Sequence, residues 1–162
     1  MNEEQRKKWW GAEENWKAKI NFSQSISENA TRLANRPALI YKEELSWKEY
    51  NDKVCKIANG LYSLGAKPGD RIGFLGSKNT NEEPEIVGAC IKGGFTYQPC
   101  TPSPVVEPVN HIQYLLDGYE TFLLFYDSDY EEVIAKVRSQ LNHPVLLINL
   151  EKPTPEMNRY LD

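Results

Sequence analysis

From Asn21 onward, apolar residues fall at alternating helical and extended spacings. Phe22, Ile26, Ala30 and Leu33 recur at intervals of four, four and three, which predicts a helix beginning near Asn21 to Ser23. Asn35-Arg36-Pro37 breaks it, Pro37 to Tyr41 reads as a strand, and Lys42-Glu43-Glu44 turns the chain into a short strand ending at Leu45. Ser46 and Glu49 have capping-box spacing: the serine oxygen can accept the Glu49 amide while the carboxylate reaches back. A helix from Trp47 to Leu64 follows, with Tyr50, Val54, Ile57, Ala58, Leu61 and Leu64 on one stripe and Gly65 as its stop. Pro68-Gly69-Asp70 makes a turn, and the short apolar run Ile72 to Leu75 predicts a central strand.

The second half repeats the alternation. A helix from about Asn81 to Lys92 stops at Gly93-Gly94, where a positive φ costs glycine nothing. Phe95 to Gln98 is extended until Pro99, which has no amide hydrogen to give to a sheet. Prolines at 99, 102, 104 and 108 keep the next connection extended, and His111 to Asp117 reads as a helix. Thr121 to Tyr126 is a strand, Asp127-Ser128-Asp129 a turn and cap, and Glu131 to Leu141 a helix with Val133, Ile134, Val137 and Leu141 inward. Val145 to Leu150 is the last strand. Strands alternating with helices imply an α/β fold, a mainly parallel sheet with helices on both faces, in three αβα layers. The organisation predicted is a charged arm over 1–20, an αβα unit over 21–150 and a loose tail over 151–162.

The arm carries Trp9, Trp10 and Trp16 beside Arg6-Lys7-Lys8; Trp9, Trp16 and Ile20 could share a helical face. It reads as a segment docking on its own domain or as a contact for a partner or a membrane, and its glutamates count against the membrane. At 162 residues with 40% hydrophobic and 26% charged side chains, the chain has a globular composition. A net charge of −4 argues against nucleic-acid binding, which needs basic patches. No apolar run approaches the ~20 residues of a membrane span, and Glu3, Glu4, Glu13 and Glu14 interrupt any signal-peptide core, so a cytoplasmic location is expected. Cys55, Cys90 and Cys100 lack metal spacing and read as reduced, packing thiols.

Candidate chemistry is sparse. Only His111 and His143 titrate near neutrality without a large shift, and neither adjoins a nucleophile motif. Asp127, Asp129, Glu131 and Glu132 resemble half a calcium loop without its glycine and terminal glutamate, and read as an acidic helix start. Gly76-Ser77-Lys78-Asn79 follows a strand and precedes a helix, as phosphate loops do, but lacks the phosphate-loop pattern and reads as an N-cap. No residue is assigned to catalysis or to a metal, and cofactor-contacting residues stay unassigned.

Three stretches in register carry a likeness. Leu45 to Tyr50, Ala58-Asn59-Gly60-Leu61 running into Leu64-Gly65-Ala66-Lys67-Pro68-Gly69-Asp70-Arg71-Ile72, and Ile91 to Pro99 resemble the first blocks of the adenylate-forming acyl-CoA synthetase superfamily over Pro37 to about Leu150. The resemblance implies structural roles for Ser46, Glu49, Gly65, Gly69, Asp70, Arg71, Gly93, Tyr97 and Pro99, with Asp70-Arg71 as a turn or ion pair. It also implies that the chain is the first αβα half of such an enzyme's N-terminal domain, ending before the ATP phosphate loop. A complete member would use ATP, magnesium and CoA to make an acyl-adenylate and then a thioester. This chain is expected to be an N-terminal fragment or split half, inactive alone, with a second polypeptide or self-association covering its exposed face. The alternatives are a non-catalytic interaction module on the same half-fold and, last, a small nucleotide binder.

Overall fold

The computed structural model describes residues 21–41, 43–101 and 106–152, so the expectations for the tryptophan-bearing arm and for 153–162 lie outside the described residues. Helix α1 spans Phe22–Arg32 and opens on a capping box in which the Asn21 side chain accepts the Gln24 amide at 2.9 Å. Strands β1 (Pro37–Ile40) and β2 (Glu44–Ser46) pair antiparallel as a separate hairpin. Helix α2 (Trp47–Ser63) begins at the predicted box: Ser46 N–H donates to Glu49 Oε2 at 2.9 Å, and Glu49 N–H to Ser46 Oγ at 3.3 Å. Ser46→Ala is therefore expected to lower stability by about 1 kcal/mol, read as a shifted denaturant midpoint at unchanged slope.

Then come β3 (Arg71–Leu75), α3 (Glu82–Gly93), β4 (Thr96–Pro99), α4 (Pro108–Gly118), β5 (Leu123–Tyr126), α5 (Glu131–Arg138) and β6 (Leu146–Asn149). The four-stranded sheet has the order β4-β3-β5-β6, and every pairing in it is parallel. β3 is interior, as its run of apolar residues predicts.

Two cores lie on opposite faces of this sheet. Ile72 and Phe74 of β3 with Leu123 and Phe125 of β5 meet α1, α2 and α3 through Ile26, Val54, Leu61, Ile86 and Ala89. Leu75, Leu124 and Tyr126 meet α4 and α5 through Ile112, Leu116, Ile134 and Val137. The period-two alternation of the strands divides one sheet between two helical layers.

Most boundaries shift from the sequence reading by a residue or two, and three features have a clear local cause. Phe22 shares its spacing with the buried Ile26 yet is 78% exposed: it is the first residue of α1, and helical side chains lean toward the N-terminus, past the end of the packed face. α4 begins at Pro108, ahead of His111, because proline's fixed φ and missing amide hydrogen suit the first turn; Glu107 caps it, accepting the Asn110 amide at 3.0 Å. α5 ends at Arg138 rather than Leu141, because Ser139 Oγ donates to the Lys136 carbonyl at 2.8 Å and Gln140 N–H to the Val137 carbonyl, closing the last turn. Leu141 still packs against the second core.

Candidate functional site

The strand order decides where a site can form. β3 is followed by β4 on one side, and β5 then appears on its other side, so the loops leaving β3 and β5 diverge at the carboxyl ends. Open α/β sheets bind ligands in the crevice made there. The mouth of this crevice holds a cavity of about 220 Å³ whose lining includes Tyr41, Lys53, Phe74, Thr80 and Asp127. A second, lined by Ser77, Lys78, Asn79, Pro99 and Thr101, lies on the other side of the loop after β3.

That loop does not cap α3. The N-cap residue Asn81 makes no capping bond with its side chain, which instead donates to the Glu43 carbonyl at 3.1 Å. Ser77 and Lys78 turn toward the loop after β5. Ser77 Oγ donates to Asp129 Oδ2 at 2.6 Å, Lys78 Nζ lies 3.1 Å from the same oxygen, and Ser77 N–H donates to Asp127 Oδ2. The Ser77 hydroxyl, then Lys78, holds the Asp129 carboxyl below its usual range, and Asp129 raises the Lys78 amine. The Ser77 amide and hydroxyl and the Lys78 amine are thus turned toward two aspartates, while the buried Thr80 hydroxyl in the cavity wall has no hydrogen-bond partner.

Beneath the mouth, Lys53 Nζ pairs with Glu85 Oε1 at 2.9 Å, and Glu85 is 2% exposed. Burial raises the Glu85 carboxyl above its usual value against the pull of Lys53. Beside it, Tyr97 donates its hydroxyl to Glu83 Oε1 at 2.6 Å, and burial followed by Glu83 raises the phenol. Asn149, at the end of β6, donates to Glu131 and accepts from Ser128 Oγ at 3.2 Å. Cys90 and Cys100 are unpaired, and burial pushes both thiols up to about 12, so they stay protonated as packing groups.

The residues singled out by the sequence blocks divide between the two ends of the sheet. Gly65 (φ +96°) and Gly69 (φ +93°) shape the turn between α2 and β3, in the left-handed region that favours glycine. Gly69 N–H donates to the Gly94 carbonyl at 2.8 Å, Thr96 N–H to the Asp70 carbonyl and Phe122 N–H to the Arg71 carbonyl, so this turn ties β3, β4 and β5 together at their amino ends. The Asp70 carboxylate accepts the Lys67 amide at 2.7 Å and forms no ion pair with Arg71, correcting the pairing considered for them: the carboxylate closes its own turn. Gly93 ends α3, where the Phe95 ring fills the space a Cβ would need. Tyr97 and Pro99 reach the carboxyl end, and Ser46 with Glu49 stays at the start of α2.

The histidines sit elsewhere. His111 Nε2 is 3.1 Å from the Thr101 carbonyl. His143 lies between Asp117 Oδ1 (3.2 Å from Nδ1) and the Thr121 carbonyl (3.1 Å from Nε2), joining the end of α4 to the connection before β6. Burial would raise the Asp117 carboxyl, but the Asn142 amide, Gln113 and His143 together hold it below its usual range. Among the described residues no three His, Cys, Asp or Glu side chains are placed to hold a metal ion, and no helix is long and apolar enough to cross a membrane. Sequence reasoning missed the Lys53–Glu85 pair and the Ser77–Asp129 contact. A lysine seven residues into a helix and a glutamate near the start of another carry no signal of their pairing until α2 is laid on α3.

Comparison with known proteins agrees with this architecture. The family model for AMP-binding enzymes matches residues 26–159. The chain is 29% identical over 115 residues to the fatty acid:acyl-carrier-protein ligase ScoC of Streptomyces coeruleorubidus, covering 70% of this chain and 21% of the ligase. It is 28% identical over 108 residues to the L-proline:L-prolyl-carrier-protein ligase of Streptomyces coelicolor, covering 67% of this chain and 20% of that protein. In structure it resembles the luciferase-like enzyme of the nonluminescent mealworm Zophobas morio, with a TM-score of 0.74 at 19% identity over 89% of this chain and 35% of that one. The chain thus spans about a fifth of either ligase and about a third of the mealworm enzyme.

Proposed function

Because the chain belongs to the AMP-binding enzyme family, we propose that it is the N-terminal part of an adenylate-forming ligase and works only together with the rest of that fold. The reaction is the two-step one: a carboxylate attacks the ATP α-phosphate, releasing pyrophosphate, and a thiol such as that of CoA then displaces AMP from the acyl-adenylate. Negative charge builds on phosphate oxygens, so the chemistry needs cations and oriented N–H donors around them.

The observation that carries the reading is the match of family and fold over one shared unit, the doubly wound sheet with its two helical layers. The loop after β3 does not offer a triphosphate its serine and lysine donors. Ser77 and Lys78 are spent on Asp127 and Asp129, and two carboxylates at that place repel phosphate. No catalytic step is therefore assigned to them. The part proposed for this chain is to build one wall of the site and to set its position through the crevice loops. The reading keeps the cytoplasmic location expected from the sequence.

ATP–pyrophosphate exchange tests it. The chain alone, offered ATP, magnesium and a panel of carboxylic acids, is expected to give no exchange. Co-produced with the portion of the Streptomyces coeruleorubidus ligase that lies beyond the matched region, it is expected to give acid-dependent exchange. Exchange by the chain alone would overturn its dependence on the rest of the fold.

A further inference from the structure

The cavity of about 220 Å³ at the mouth of the crevice keeps a polar atom that the fold itself does not meet. The Thr80 hydroxyl oxygen is out of contact with solvent and neither gives nor receives a hydrogen bond. Leaving such a group unmet is costly in a protein interior, so a cavity wall that retains one is a place where a ligand atom can be received. Phe74 and Leu150 give the same cavity an apolar side. Its volume lies below the ~300–1,000 Å³ of pockets for drug-sized ligands, which limits the occupant to a small molecule.

The charge of the lining sets the sign of that molecule. Among its described residues Glu43, Glu82, Asp127 and Glu151 are acidic and Lys53 alone is basic. The neighbouring amines are committed elsewhere: Lys53 to Glu85 at 2.9 Å, Lys78 to Asp129 at 3.1 Å and Lys152 to Glu131 at 3.7 Å. Asp127 receives the Ser77 and Asp129 amides. The carboxylates of Glu43, Glu82 and Glu151 are left without a hydrogen bond or an ion pair among the described residues. The first turn of α3 would by itself favour an anion, but Glu82, Glu83 and Glu85 already occupy it. Burial is the largest cause of the raised Glu85 carboxyl, and the fields of Glu82 and Glu43 add to it, so the negative potential reaches from the rim to the buried pair.

We propose that this cavity is a binding site for a small organic cation, a primary ammonium group carried on a short apolar body. An ammonium group has three hydrogens to give and accepts none, which matches a wall that offers carboxylate oxygens and an unmet hydroxyl oxygen. The apolar body takes the side made by Phe74 and Leu150. A metal ion is the poorer occupant, because no three His, Cys, Asp or Glu side chains among the described residues are placed to hold one, and a bare ion leaves the apolar side unfilled. The site is built from the described residues alone and does not depend on the ligase reading.

Three probes that share one phenethyl body test the charge: phenethylamine, the neutral phenethyl alcohol and the anionic hydrocinnamate, each titrated into the full chain at pH 7 and followed by calorimetry and backbone amide NMR. The expected result is saturable binding of phenethylamine, with amide shifts centred on Thr80, Glu82 and Glu151, at least tenfold weaker binding of the alcohol and none of the acid. Thr80→Val is expected to weaken phenethylamine at least fivefold while the thermal midpoint of the unbound chain stays equal or rises, since the change removes an unmet hydroxyl. Glu82→Gln is expected to weaken it at least threefold. The probe series is read on the parent chain, so a variant that fails to fold does not shield the proposal. Equal binding of the alcohol or the acid overturns it, as does the lack of saturable phenethylamine binding or saturation with shifts away from the cavity. Parent-like affinity in both variants also overturns it.

Discussion

Lys53→Met is expected to destabilise the chain by about 3 kcal/mol at neutral pH, the low end of the cost of breaking a buried ion pair, because the lysine side chain is 40% exposed. The loss falls on Glu85, which is left charged in the core with its one cation gone. Its pH dependence follows from the direction of the Glu85 shift. Burial already lifts this carboxyl in the folded state, so the fold binds its proton more tightly than the unfolded chain does. Removing Lys53 lifts it further. The protonated form carries the stability, which is present below the ordinary glutamate value and is lost as pH rises through the folded one. The deficit of the variant should therefore shrink when denaturation is measured at pH 5 instead of pH 7. Glu85→Gln in the Lys53→Met background should recover most of it at pH 7. An equal deficit at both pH values would assign the effect to lost packing of the lysine methylenes.

Gly88→Val is expected to cost about 3 kcal/mol, the upper part of the range for overpacking a core. α2 and α3 pack so closely that a Cβ at Gly88 would overlap the Tyr50 hydroxyl and lie 2.6 Å from Val54 Cγ1. Tyr50 cannot simply turn away, since its hydroxyl donates to the Pro84 carbonyl at 2.8 Å and its ring is buried. Thermal unfolding of Gly88→Val, Tyr50→Phe and the double variant should show non-additivity of at least about 1 kcal/mol, because both changes act on one contact. Additive losses would place the cost in the valine's helix propensity instead.

Much of this fold was legible in the sequence because local pattern and tertiary fate agree. The stripe Tyr50, Val54, Ile57, Ala58 and Leu61 is buried as its spacing requires, and Ser46 and Glu49 meet as a capping box. The Gly65 and Gly69 turn has the conformation its residues favour. Strand-helix alternation was enough to give a parallel sheet between two helical layers. What could not be read was anything that depends on which strands become neighbours. Ser77 and Asp129 are 52 residues apart, and nothing in either loop names the other. The reading of Gly76 to Asn79 as a helix cap failed for that reason: its polar groups found partners across the sheet rather than along the chain. Phe22 shows the converse limit, where helical periodicity alone does not tell burial because the stripe runs past the end of the surface it packs on.

The amino-end turn and the carboxyl-end loops also differ in how freely they could change over time. Gly69, Asp70, Arg71 and Gly94 join three strands through their main chains, so an inserted residue there would shift the register of the whole sheet. The loops after β3 and β5 touch chiefly through exposed side chains such as Lys78 and Asp129. They are where lineages of this unit can lengthen, shorten and diversify while the frame beneath them is inherited intact.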